Sequence, residues 1–285
     1  MALKISFVNN KGGSGKTTTV VNIAGVINRL YPKKKLLIID VDAQGNASRA
    51  FNIDNETEIN KELTTYQIFL QNLNPKDAII HNVGGNKNID LIPASMELNF
   101  LEFDEINIFT KNNGISNKLD LKEFYFNNLN HKLDEIDKLY DYIFFDTPPE
   151  LKSVTSSVLS ISNSVIIPYE PDAFSVDGVR NIVDRIQDIQ QNFNPQLTIN
   201  GFLATKYRER TVIQREFVKV INSYAKALEF PVINTKIPHS IRYPNSNGIK
   251  PATLMVKNID NERNKAVKAY FDLVDELTEK KILKF

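Results

Sequence analysis

Between Phe7 and Thr19 the chain reads Phe-Val-Asn-Asn-Lys-Gly-Gly-Ser-Gly-Lys-Thr-Thr-Thr, an apolar strand that runs into a glycine-rich turn and then into a helix opening on lysine. Gly12, Gly13 and Gly15 allow conformations that a Cβ penalises, so successive N–H groups turn inward. The helix beginning near Lys16 aims its unpaired N–H groups at the same point. A phosphate placed there is met from several sides. Lys16 is positioned to reach the terminal phosphates of a nucleotide, and the Thr17 hydroxyl to ligate an accompanying Mg²⁺. The usual phosphate-binding loop carries glycine where this chain has Asn10, and Lys11 is an addition, so the string Lys-Gly-Gly-Ser-Gly-Lys-Thr is a variant P-loop.

The elements after the loop alternate. Lys4 to Val8 reads as the first buried strand and Lys16 to Leu30 as its helix, stopped at Tyr31-Pro32. Leu36 to Ile39 is a continuous apolar strand that delivers Asp40 and Asp42 at its carboxyl end, the edge where ligands sit in an open parallel sheet. A second such strand, Tyr142 to Phe145, ends in Asp146-Thr147-Pro148-Pro149; a carboxylate there is the expected partner of Mg²⁺ beside a P-loop. Thr65 to Leu70 reads as a short helix and Ile89 to Ile92 as a strand. Helical pattern covers Leu98 to Phe109 and Leu119 to Leu139, broken at Asn112-Asn113-Gly114, with Leu129, Leu133, Ile136 and Leu139 facing the sheet. Further strands are expected over Ser164 to Pro168, Ile199 to Thr205 and Val232 to Ile237. Helices are expected over Val176 to Gln191, with Ser175 as its cap, over Thr211 to Leu228, and over about 260–280. With no linker rich in Pro, Gly or Ser, the alternation predicts one α/β domain over 1–285: a P-loop NTPase fold, a mostly parallel twisted sheet with helices on both faces.

Composition narrows the chemistry. The 285 residues include no cysteine, which removes disulfides, thiolate metal sites and cysteine nucleophiles and fits an intracellular protein. Thirty-five basic and 34 acidic side chains leave a formal charge of +1, so any nucleic-acid contact must come from a local patch. His81, His131 and His239 are scattered and form no metal cluster. The N-terminus is the first strand rather than a basic leader before an apolar segment, and no apolar run is long enough to span a bilayer.

The P-loop string closely resembles that of the deviant Walker A ATPases, the group of ParA-type DNA-partition and MinD-type division-site proteins. The resemblance spans nearly the whole chain: the P-loop at 9–17, a first switch at 39–48, a second at 146–152, and further strings at 89–95, 168–178 and 236–242. It implies an ATP and Mg²⁺ site made of Lys11, Gly12, Gly13, Ser14, Gly15, Lys16, Thr17 and Thr18. Asp42 would align the attacking water and contact the metal environment, and Asp146 would serve as the Walker B carboxylate. Lys11 would reach across a nucleotide-sandwich homodimer to the partner's phosphates. Two strings, 201–211 and 234–242, resemble the segments near the purine, which makes Thr205 and Pro238 adenine-side candidates. Two departures stand out: Ala43 replaces a common proline, and 243–248 leaves the usual pattern.

Basic residues gather in the last third, where Lys206, Arg208, Arg210, Arg215 and Lys219 are followed by Lys236, Arg242 and Lys250. Such a surface suits phosphate contacts without sequence choice. With Glu209 and Glu216 interspersed it equally suits a solvated face. The resemblance favours nonspecific double-stranded DNA, with Arg242 first and Arg210, Arg215 and Lys219 behind it. It also implies a ParB-like activating partner and a cytoplasmic, nucleoid-associated protein with no stable membrane attachment. Because the chain opens on the first strand, operator binding through an N-terminal helix-turn-helix is not expected. The alternatives are a MinD-like membrane-cycling ATPase using a terminal amphipathic helix over Leu273 to Phe285, a ParA-like ATPase that positions non-DNA cargo, and a purely structural nucleotide-binding protein.

Overall fold

The computed structural model describes residues 1–53, 62–70, 73–113, 129, 131–239 and 265–285. Seven strands form one parallel sheet: β1 (Leu3–Phe7), β2 (Leu36–Asp40), β3 (Ile89–Ile92), β4 (Tyr142–Asp146), β5 (Ser164–Tyr169), β6 (Thr198–Tyr207) and β7 (Lys236–Pro238). Their spatial order is β3-β2-β4-β1-β5-β6-β7. The described helices are α1 (Lys16–Leu30), α2 (Asn46–Ala50), α3 (Thr65–Phe69), α4 (Leu101–Asn113), α5 (Asp134–Asp137), α6 (Ser153–Ile161), α7 (Ser175–Asn192), α8 (Val212–Ala227) and α9 (Lys265–Glu279).

The continuous apolar runs of the central strands are explained by burial on both faces. Leu36, Ile38, Tyr142 and Phe144 pack with Val20, Ile23 and Ile27 of α1 and Leu273, Val274 and Leu277 of α9. Their neighbours Leu37, Ile39, Ile143 and Phe145 point the other way, toward Ile68, Leu98, Leu133 and Ile136. Further along that face, Val165 and Ile167 of β5 meet Val179, Ile182, Val183 and Ile186 of α7. The period of two along each strand thus separates the two cores.

Register sets the active edge. Phe7 and Asp40 both pair with Asp146, so β1, β2 and β4 end level and their following loops meet.

Several elements differ from the sequence expectation. Met96–Phe100 is a 3-10 turn and the helix runs Leu101–Asn113, because the chain is pulled in at Leu98 and Leu101 while Phe100 and Phe103 stay exposed. Over the described part of Leu119 to Leu139 there are turns and only the short α5, with His131 at φ 64°; the remainder lies outside the described residues. Ser175 is the first residue of α7 rather than its cap, and its hydroxyl donates to the Asp172 carbonyl at 2.6 Å. β7 is only Lys236–Pro238, since the N–H groups of Asn234 and Thr235 donate to the Glu276 carboxylate of α9 instead of to a strand. α9 is described from Lys265, so 260–264 falls outside the described residues.

Candidate nucleotide site

Three loops converge where β1, β2 and β4 end. Gly13 at φ 72° and Gly15 at φ 88° shape the turn after β1, and Gly15 occupies the N-cap position of α1 with a backbone that a side chain would strain. The loop is held from below. Asn9 Nδ2 donates to the Pro168 carbonyl at 2.6 Å while its Oδ1 accepts from the Lys11 N–H at 2.8 Å. Thr205 Oγ1 donates to the Ser14 carbonyl at 2.7 Å and lies 3.1 Å from the Tyr169 carbonyl.

Lys16 is buried, and its ammonium donates to the Asn9 carbonyl at 3.1 Å. Burial pushes its pKa below the ordinary lysine value, opposed by the pull of Asp146 and Asp42. Thr17 Oγ1 donates to Asp146 Oδ2 at 2.7 Å. The other oxygen, Asp146 Oδ1, is buried with no hydrogen-bond partner, as is Ser14 Oγ in the loop. Asp146 is carried well above the usual carboxylate range, first by burial and then by the nearby charge of Asp40.

Asp42 begins the turn after β2. Its Oδ1 accepts from the Gln44 N–H at 3.0 Å, and burial raises its pKa against the opposing effects of that hydrogen bond and of Lys16. Asp40 faces inward and is fully engaged: Oδ2 accepts from the Ser48 N–H and hydroxyl, both at 2.9 Å, and Oδ1 from the Asp42 N–H at 3.2 Å. Burial nevertheless pushes Asp40 up to about 7. It anchors the turn that presents Asp42.

One buried ammonium therefore lies among buried carboxylates and inward N–H groups, one carboxylate oxygen being unpartnered. Among the described residues no group of three or more His, Cys, Asp or Glu side chains could form an all-protein metal cage. Two carboxylates with one hydroxyl instead match the habit of Mg²⁺, which takes few protein ligands and completes its shell with water and phosphate oxygens.

The remaining predicted residues fall as follows. Lys11 is half-exposed and ion-pairs with Asp172, in the loop after β5. Gly12 and Thr18 belong to the loop and the first turn of α1. Thr205 is buried beneath the loop, where it buttresses Ser14 and Gly15. Pro238 ends β7 and is partly exposed. Arg210, Arg215 and Lys219 lie on the exposed surface beyond β6 and along α8; Arg215 donates to the Glu209 carbonyl at 3.0 Å and Lys219 pairs with Glu216 at 2.9 Å. Arg242 lies outside the described residues. Sequence reasoning did not single out Asp172 as the partner of Lys11, or the Pro168 carbonyl as the acceptor of Asn9. Both contacts arise because β5 stands beside β1 in the sheet.

A parallel sheet with a P-loop after its middle strand β1 and carboxylates at the ends of the adjacent β4 and of β2 beyond it defines a P-loop α/β domain. Comparison with known proteins agrees. The family described as "AAA domain" matches residues 2–199. The sporulation initiation inhibitor protein Soj of Bacillus subtilis is 30% identical over 275 residues, covering 96% of this chain and 97% of Soj. A ParA family protein of Mycoplasma pneumoniae is 30% identical over 226 residues, 78% of this chain and 77% of that protein. The chain belongs to the ParA family. Among solved structures, a cobyrinic acid a,c-diamide synthase from Mycobacterium smegmatis with bound ATP analog and magnesium superposes with TM-score 0.75 at 23% identity, over 98% of this chain and 95% of that one. A plasmid partition protein from Borrelia burgdorferi gives TM-score 0.70 at 22% identity, over 98% and 99%. These two share the fold.

Proposed function

We propose that this protein is an ATPase that partitions DNA: two copies close on Mg-ATP, the dimer binds nonspecific double-stranded DNA, and a ParB-like partner triggers hydrolysis and release. The observation that carries the reading is the group of buried Lys16, Asp42 and Asp146 with half-buried Thr17, in which Asp146 accepts from the Thr17 hydroxyl through Oδ2 and keeps Oδ1 unsatisfied. A buried polar atom without a partner costs stability unless a ligand satisfies it, which suits a site completed on binding. Membership of the ParA family and the similarity to Soj support the cellular role.

Each residue then has a task. The N–H groups of 12–17 hold the phosphates, and Lys16 offsets the charge that builds on them during transfer. Thr17 and Asp146 would hold Mg²⁺, whose chemistry at this point is to neutralise phosphate charge. Asp42 accepts a proton-side hydrogen bond from the attacking water and so aligns it. Lys11 serves the partner's nucleotide, which requires it to leave Asp172. Arg210, Arg215, Lys219 and Arg242 supply phosphate contacts to DNA.

Of the alternatives, the membrane-cycling reading fits the tail poorly. Leu273, Val274, Leu277, Ile282 and Leu283 are buried in the core, and the Phe285 ring stacks on Tyr31 at 3.5 Å. Those apolar groups are already used. No helix among the described residues is long and apolar enough to cross a membrane. Positioning of non-DNA cargo would use the same catalytic residues and differ only in the partner.

The test is DNA binding with ATP, with ADP and without nucleotide, alongside sedimentation of the same samples. Wild-type protein should dimerise and shift DNA with Mg-ATP alone, and Lys16→Ala should do neither. Binding that ignores nucleotide, or liposome flotation with ATP in place of a DNA shift, would refute the proposal.

A further inference from the structure

The loop that leaves Asp146 runs to α6, and its two ends are pinned in different ways. At the near end the Thr147 hydroxyl donates to the Phe7 carbonyl of β1 at 2.7 Å, and Pro148-Pro149 restrict the backbone that follows. At the far end stands a helix start with no cap of its own. Lys152 occupies the N-cap position of α6, and an ammonium cannot accept from helix N–H groups. Ser153 Oγ is buried with no hydrogen-bond partner. The N–H of Ser153, the first residue of the helix, donates instead to Glu102 Oε1 of α4 at 3.0 Å, across 51 positions of chain. A carboxylate at that point meets the positive end of the helix dipole as well as the N–H.

The helix that supplies this cap is itself braced against the other acidic loop. Leu98 and Leu101 are buried in the same core as Ile39 of β2 and Phe145 of β4. Asp104 Oδ2 accepts from the Tyr66 hydroxyl of α3 at 2.8 Å, and the neighbouring Thr65 Oγ1 donates to the Asp40 carbonyl at the end of β2 at 3.0 Å. Glu102 therefore reaches the loop after β4 from a helix tied to the strand end that presents Asp42. The two loops also feel one another, since the charge of Glu150 opposes ionisation of Asp42. A shift of the segment 147–152 would change the surroundings of Asp42.

We propose that Glu102 is a positioning residue for ATP hydrolysis: by capping α6 from α4 it holds the loop between Asp146 and Lys152 against the loop of Asp42, so that the residue aligning water keeps its place. The proposal rests on the ATPase reading above and assigns to that site a support supplied by a helix outside it. Oε1 is engaged with the backbone of α6, so Glu102 acts through the loop and not by contact with the reacting atoms. Phosphate binding draws on the N–H groups of the P-loop and on Lys16, whereas the alignment of water depends on where the two acidic loops stand. Loss of the cap therefore bears on turnover more than on affinity.

Glu102→Ala removes the cap, and Glu102→Gln keeps an acceptor oxygen of the same reach without the charge. Wild type and variants are compared in single-turnover hydrolysis of Mg-ATP with protein in excess, and in calorimetric titration with a nonhydrolysable ATP analogue and Mg²⁺. The alanine variant should hydrolyse on the order of tenfold more slowly while its affinity changes by less than about twofold, and glutamine should recover most of the lost rate. Glu102→Asp draws the carboxylate back by one methylene; it should slow hydrolysis at unchanged affinity, and it keeps the test in force should the alanine variant not fold. An unchanged rate in the alanine and aspartate variants overturns the proposal. Equal losses of rate in alanine and glutamine would move the effect from the hydrogen bond to the charge, and equal losses of rate and affinity would make Glu102 a general support of the fold; either outcome also overturns it. Wild-type protein that hydrolyses no ATP, with or without DNA, refutes the ATPase reading itself.

Discussion

Thr205→Val removes one hydroxyl and little else, because valine keeps the branched shape that packs against Gly15. In the wild type that hydroxyl lies 2.7 Å from the Ser14 carbonyl and 3.1 Å from the Tyr169 carbonyl, with Thr205 buried. Loss of the only proton shared by two buried acceptors costs about 1–2 kcal/mol. For a domain of this size that corresponds to a fall in Tm of roughly 2–3 °C. The effect extends to the ligand, since the Ser14 carbonyl is one of the points that hold the P-loop in its concave form. A loop freed at that point must be ordered again on binding, and ATP affinity should drop on the order of tenfold. Urea unfolding followed by circular dichroism gives the stability, and calorimetric titration with Mg-ATP gives the affinity. Thr205→Ser, which keeps the donor, should show the smaller loss in both. If the valine variant unfolds at the wild-type midpoint and binds ATP equally well, the hydroxyl does not brace the loop. Equal losses in the serine and valine variants would move the cause from the hydrogen bond to the lost methyl packing.

Two further outcomes follow from the same geometry. Asp40, raised by burial from 3.8 to about 7, and Asp146, raised well above 3.8, each hold a proton in the folded chain over a range where the unfolded chain has lost it. Nucleotide-free protein should therefore lose stability as pH rises from about 4 to about 7, and Asp146→Asn should flatten that slope and raise Tm at neutral pH while abolishing the Mg²⁺ dependence of ATP binding; thermal scans across pH check both, and a Tm that climbs through this range refutes the assignment. Gly201 sits at φ 128°, where an added Cβ would lie 2.7 Å from the Pro231 carbonyl oxygen and 2.9 Å from Ile233 Cγ1, so Gly201→Ala should destabilise by roughly 3 kcal/mol through strain and overlap, measured by urea unfolding.

How much the residues disclosed by themselves depends on how local the physics is. The P-loop was legible because its conformation is set within a few residues: glycines permit the turn, and the helix that follows supplies the N–H groups. Asp42 and Asp146 were legible for a related reason, as carboxylates placed at the ends of unbroken apolar runs that only a buried parallel strand explains. Their burial, the pairing of Asp40 with Asp146 across β2 and β4, and the resulting rise in pKa were not, since these depend on which strands stand side by side.

The same division explains the misplaced elements. A period of 3.6 over Leu119 to Leu139 suggested a helix, yet Leu133 and Ile136 reach the core through turns and the short α5, because apolar spacing records which residues are buried and not the backbone that carries them there. Val232 to Ile237 had the composition of a strand, but the Glu276 carboxylate, supplied by a helix some forty positions away, takes the N–H groups a ladder would use. Thr205, a purine-side candidate from the string, also braces the loop by donating its hydroxyl to the Ser14 carbonyl, a contact the string did not show. Its neighbour Lys206 is turned toward Gly13 by a register shift that no single-strand pattern encodes. Sequence alone determined the phosphate loop, the acidic strand ends and the alternating α/β order, each written in contiguous residues. Tertiary structure decided which side chains brace, pair with and rim that loop, because those partners come from strands and helices far apart in the chain and acquire their roles only when the sheet sets them next to one another.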